Sequence, residues 1–136
     1  MSQANKTITE QWTQEIFNNG NLAAIDQLVA ADIVFHIGSE PDIRGRQGLR
    51  AYLQSFRAAF PDGRFTIDEQ IAEGDQVVQC WSFRGTHKGE FFGIPACGKP
   101  VAITGHTRLR VSGGKVAEHW AHYDVFGFLK QAGRSV

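Results

Sequence analysis

The hydrophobic period of this chain changes once, near Pro61-Asp62-Gly63, and that change limits the folds open to it. Before it, apolar residues recur at helical spacing: Ile8, Trp12 and Ile16, then Leu22, Ile25, Leu28 and Val29, then Leu49, Tyr52, Leu53, Phe56 and Phe60. Thr7-Ile8-Thr9-Glu10 has the form of a capping box, and Asn21 is placed to cap the second helix. After the change the period is two. Strands are predicted near 64–73, 76–88, 100–111 and 115–124, joined by Gly74-Asp75, a Gly/Pro-rich loop and Ser112-Gly113-Gly114. One earlier strand is predicted over Asp32 to Ile37, and a short helix from Val125. Helices followed by an antiparallel meander specify an α+β domain, with the N-terminal helices packed on one face of a curved antiparallel sheet.

No linker, repeat or low-complexity tract divides the 136 residues, so one domain over 1–136 is expected. Its 14 basic and 14 acidic residues balance, which leaves no electrostatic footprint for nucleic acid. The polar start, Met1 to Lys6, has no apolar signal core, and no run approaches the roughly 20 apolar residues of a membrane span. A soluble cytoplasmic protein whose partner is a small molecule or a second copy is therefore expected. Cys80 and Cys97 lie in no ligand or redox pair, so both are expected as free thiols, Cys80 buried in its strand.

Asp124 is the carboxylate that most needs a reason, because it ends a mostly apolar strand. If the Gly113-Gly114 hairpin sets Val111 against Val116, then Leu109 faces Glu118, Thr107 faces Trp120, Gly105 faces His122 and Ile103 faces Asp124, all on one side. His106 and His119 then point to the other side with Arg108 and Arg110. A single bulge reverses every one of these assignments. In this register Asp124 sits among Ile103, Trp120 and His122. There desolvation raises a carboxyl pKa and a protonated imidazole lowers it, which suits a base near neutral pH. The plainer role is a cap on the following helix, accepting from the backbone of Phe126 or Gly127, and the two roles are compatible.

His36 and His122 are the histidines placed to assist, and each also fits an ordinary hydrogen-bonded strand position. Trp81 and Phe83 form an aromatic face that serves a core or a ligand pocket. With Tyr52, Phe56, Ile103, Thr107 and Trp120 they are the candidate substrate contacts. No HExxH or GxSxG spacing occurs, and the segment Gly85 to Pro95 lacks the GxGxxG or GxxxxGK spacing of a phosphate cradle, so neither a metal nor a cofactor is expected and covalent catalysis is disfavoured.

Several strings taken together resemble one family: His36…Gly45-Arg46-Gln47-Gly48, Ala59-Phe60-Pro61-Asp62, Gly85-Thr86-His87-Lys88-Gly89-Glu90-Phe91, Gly93-Ile94-Pro95 and Glu118-His119-Trp120…Asp124…Gly127. They are similar to the SnoaL-like polyketide cyclases and predicted ester cyclases. The resemblance implies the cone-shaped α+β fold of nuclear transport factor 2 and ketosteroid isomerase, with the helices on the concave face. It also implies an apolar pocket and a homodimer formed through the sheet. Asp124 matches the family's general base, His36 matches a cavity-facing histidine of the ester-cyclase branch, and His106 is the nearest match in chain order to the cyclases' second histidine. The leading expectation is cofactor-independent proton abstraction α to a carbonyl of a small apolar molecule. Isomerisation, epoxide or ester hydrolysis in the same cavity, and a non-catalytic ligand-binding dimer, are the alternatives.

Overall fold

A computed structural model describes residues 2–133. Residues 1 and 134–136 of the expected domain lie outside the described residues. The N-terminal helix α1 (Ser2–Gln11) begins before the expected capping box. Thr7 and Thr9 stand inside it and donate back to the carbonyls of Gln3 and of Asn5 and Lys6, as hydroxyls within a helix do. The helix then widens into a π-helical stretch, Trp12–Asn18, which turns Trp12, Thr13, Ile16 and Phe17 inward together. The short α2 (Ala24–Leu28) starts from Ala23 and has no side-chain cap, so Asn21 is not its cap.

The strands are β1 (Val29–Ile37), β2 (Ile43–Arg44), β3 (Arg64–Glu73), β4 (Gln76–Thr86), β5 (Pro100–Ser112) and β6 (Lys115–Tyr123). Helix α3 (Gly45–Ala59) precedes β3, and α4 (Val125–Gln131) ends the described chain. The six strands form one curved, unclosed sheet in the order β2-β1-β6-β5-β4-β3. β3 to β6 are the expected antiparallel meander, while β1 joins its far side in parallel with β6.

The decisive detail lies between β5 and β6. The turn pairs Val111 with Val116 as expected, but the next pair is Arg110 with Glu118, so Ala117 is an extra residue. Beyond this bulge Leu109 faces His119, Thr107 faces Ala121, His106 faces His122 and Gly105 faces Tyr123. The expected register, in which Trp120 and His122 share a face with Thr107 and Ile103, is thereby corrected. His119, Ala121 and Tyr123 now look into the concave side, while Glu118, Trp120 and His122 look out.

Charge and packing explain the choice. Outward, Glu118 lies 3.5 Å from the Arg110 guanidinium and 2.8 Å from Nε2 of His36, and Arg108 sits 3.8 Å over the Trp120 ring. Turned inward, the same carboxylate would be buried without a cation, a cost of several kcal/mol. Val116 and Ala117, buried on successive positions, accept the bulge because both are small and apolar.

Two aromatic clusters fill the concave side, one around Trp12, Phe17 and Phe35 and one around Phe56, Phe60, Phe83, Phe91 and Phe128. A polar string ties α1 to the sheet: Thr13 donates to Gln79 Oε1 at 3.0 Å, and Gln79 Nε2 donates to Thr9 O and to Gln70 Oε1. Cys80 is half-buried on the convex side, not in the core, and both cysteines are free. Among the described residues no helix is long and apolar enough to cross a membrane.

Gly105 is required by close approach. A Cβ there would meet Cζ2 of Trp81 and come within 2.6 Å of the His122 carbonyl oxygen. Gly105→Ala is expected to lower the free energy of unfolding by about 1–3 kcal/mol, because indole and strand must both move. Urea denaturation of the two proteins measures it.

Candidate functional site

The concave face carries a partly open cavity of about 70 Å³. Its walls are aromatic: Trp12, Phe17, Phe35, Tyr52, Phe56, Phe60, Phe65, Trp81, Phe83 and Phe91 reach it from the helices, strands and the loop after β4. Of the expected substrate contacts, Tyr52, Phe56, Trp81, Phe83, Ile103 and Thr107 line the cavity, and Trp120 does not. Trp120 lies on the convex side, packed between Arg108 and the His36 ring.

No charged side chain is among the described residues that line the cavity; the lining residues that carry polar groups are Thr13, Gln79, Thr107 and His119, together with Trp81, Tyr52 and Tyr123. His119 is 4% exposed and stacks flat on Phe35, centroids 3.8 Å apart at 8°, with Trp12 5.4 Å away. Its Nδ1 has no hydrogen-bond partner among the described residues. Burial pushes its pKa down to about 3, so the ring is neutral at physiological pH. Burial likewise raises Tyr52 to above the usual phenol range, and holds Tyr123 up at about 12. Both phenols therefore keep their protons and can donate.

The expected catalytic residues lie elsewhere. Asp124 is exposed at the N-terminus of α4, where its Oδ1 accepts from the Gly127 amide at 2.9 Å, the cap geometry that the sequence also allowed. It follows Tyr123 directly but does not line the cavity. His106 and His122 face one another across β5 and β6, exposed on the convex side. His36 is on that side too, Nδ1 2.7 Å from Asp42 Oδ1 and Nε2 2.8 Å from Glu118 Oε2. The hydrogen bond to Glu118, with Asp42 adding to it, raises the His36 pKa, and the same pairing lowers that of Glu118. His36 thus braces β1, the following loop and β6 together.

Sequence reasoning missed His119, Tyr123, Gln79 and Thr13 as cavity residues. The available signal was Val116-Ala117, two successive apolar residues that interrupt the strand's alternation as a bulge does.

A curved, unclosed six-stranded sheet with helices against it is the fold of the ketosteroid isomerase-like proteins. A hypothetical protein of that fold from Catenulispora acidiphila, solved in complex with trimethylamine, superposes with a TM-score of 0.79 at 22% identity, over 94% of this chain and 93% of its own. The SnoaL-like polyketide cyclase profile matches residues 7–132, and the chain belongs to that family. IdmH from Streptomyces antibioticus, a candidate polyketide cyclase, is 32% identical with a TM-score of 0.80, covering 95% of this chain and 98% of that one. TsrD from Streptomyces laurentii is 25% identical with a TM-score of 0.86, covering 97% and 96%. A search of curated proteins gives no match.

The depressed pKa of His119 links its protonation to unfolding. Below about pH 6.5 the unfolded chain takes up a proton that the folded chain refuses until about pH 3, so stability is lost as pH falls through that window. His119→Phe is expected to remove this loss: relative to the variant, wild type should weaken by up to about 1.4 kcal/mol per pH unit across the window. Urea unfolding at pH 7, 6, 5 and 4 tests it, and parallel curves for the two proteins would refute it.

Proposed function

We propose that the chain is a cofactor-independent acid–base catalyst that removes a proton α to the carbonyl of a small neutral substrate, leading to ring closure or isomerisation. The observation that carries this reading is His119, the imidazole among the described cavity-lining side chains, which burial holds neutral so that a ring nitrogen keeps its lone pair as a base. Among these neutral lining residues an imidazolium has no counter-charge, and burial therefore pushes the pKa down. Proton transfer from a carbon acid creates the cation and an enolate together. The enolate supplies the missing counter-charge, and protonated hydroxyls lining the cavity can donate to its oxygen. The proton moves from carbon to nitrogen and is returned to carbon or oxygen of the product, so nothing is oxidised or reduced. Membership of the cyclase family supports the reaction type.

A second reading, a binding module without turnover, is favoured by one observation: no carboxylate among the described residues lines the cavity. The two readings separate in deuterium exchange. In D₂O the protein is expected to accelerate exchange at the α-carbons of cyclohexanone, followed by NMR, and His119→Phe should lower that rate by roughly 100-fold or more. Saturable binding with no exchange selects the binding module. Loss of exchange in Asp124→Asn, with His119→Phe still active, returns the base to the carboxylate at the head of α4.

A further inference from the structure

The floor of the cavity contains one oriented hydroxyl that the fold itself does not need. The Trp81 indole N–H donates to Thr107 Oγ1 at 2.8 Å, both groups buried. Because that bond occupies the oxygen as an acceptor, the Thr107 hydrogen is left to point elsewhere, and no acceptor for it occurs among the described residues. The indole is held in place from beneath by Gly105, where a Cβ could not fit. The other polar groups of the floor are spent: Thr13 donates to Gln79, and both Gln79 amide hydrogens go to Thr9 O and Gln70 Oε1.

Thr107 pairs with Ala121 and His119 pairs with Leu109, so Thr107 and His119 are diagonal neighbours on the concave face, their backbones roughly 7–8 Å apart. Both side chains project from that face, so one small molecule can accept a hydrogen bond of about 2.8 Å from the hydroxyl at its carbonyl oxygen while its α-carbon meets the imidazole. The cavity volume of about 70 Å³ is well under the roughly 300–1,000 Å³ of pockets that take drug-sized ligands. No charged side chain among the described residues lines it.

We infer that Thr107, aimed by Trp81, is the donor that holds the substrate's carbonyl oxygen, and that the pocket takes neutral carbonyl compounds of about one ring. This deepens the proposed function and rests on it for the role of His119. The donor selects ligands with an acceptor at that point over hydrocarbons of the same size.

The test uses two probes of equal heavy-atom count, cyclohexanone with an acceptor and toluene without one. Each is titrated into wild type, Thr107→Val and Thr107→Ser, following the Trp81 indole N–H by NMR. Wild type is expected to bind both. Thr107→Val should weaken cyclohexanone by roughly tenfold, the weight of one hydrogen bond, and leave toluene unchanged. Thr107→Ser should restore cyclohexanone binding. Equal weakening of both probes, or of neither, overturns the inference, as does a wild type that binds neither. Selective weakening without α-deuterium exchange upholds the Thr107 contact while the catalytic reading fails.

Discussion

The extra residue at Ala117 is the constraint on which the rest of the site depends. It reverses the two faces of β6, sending Glu118 to Arg110 and His36 and bringing His119 and Tyr123 inside. Side chains alternate with period two, so there is no intermediate arrangement: either a carboxylate and an indole enter the cavity or an imidazole and a phenol do. The convex cations decide the matter, because only there does the carboxylate have partners. A neutral cavity is therefore a consequence of the ion pairs on the opposite side of the sheet.

What keeps the cavity open is a division of labour on the concave face. The polar string from Thr9 and Thr13 through Gln79 to Gln70 anchors α1 and the π-helical stretch to the sheet by hydrogen bonds beside the apolar packing of Trp12, Ile16 and Phe17. Large rings then touch edge to face around the space they leave, as Phe65 does with Trp81 and Phe56 with Phe83. Within that aromatic wall each polar group either has a protein partner or is available to a ligand, and burial holds His119, Tyr52 and Tyr123 neutral. Apolar recognition with a few oriented hydrogen bonds is the chemistry such a surface supports.

Much of this was readable in the chain. The period change near Pro61 separates helices from meander, and the strands over 64–73 and near 76–88, 100–111 and 115–124 appear close to where alternation puts them. Trp81, Phe83, Ile103 and Thr107 lie on the face expected of them because β4 and the stretch of β5 that carries them run without interruption. Asp124 drew attention for the right local reason, a carboxylate where strand meets helix, and it caps α4. Its distance from the cavity was not readable, since that depends on where α4 packs.

The order of hydrophobic periods determined the α+β architecture, because burial of one face per element admits few arrangements of these helices and strands. Which residues of β6 enter the cavity was decided only by tertiary structure. Both of its faces mix aromatic, histidine and small residues, so alternation alone cannot choose between them. The choice comes from Arg108, Arg110, His36 and Asp42, contributed by other strands and by a loop, and their pairing with Glu118 and Trp120 exists only in the assembled sheet.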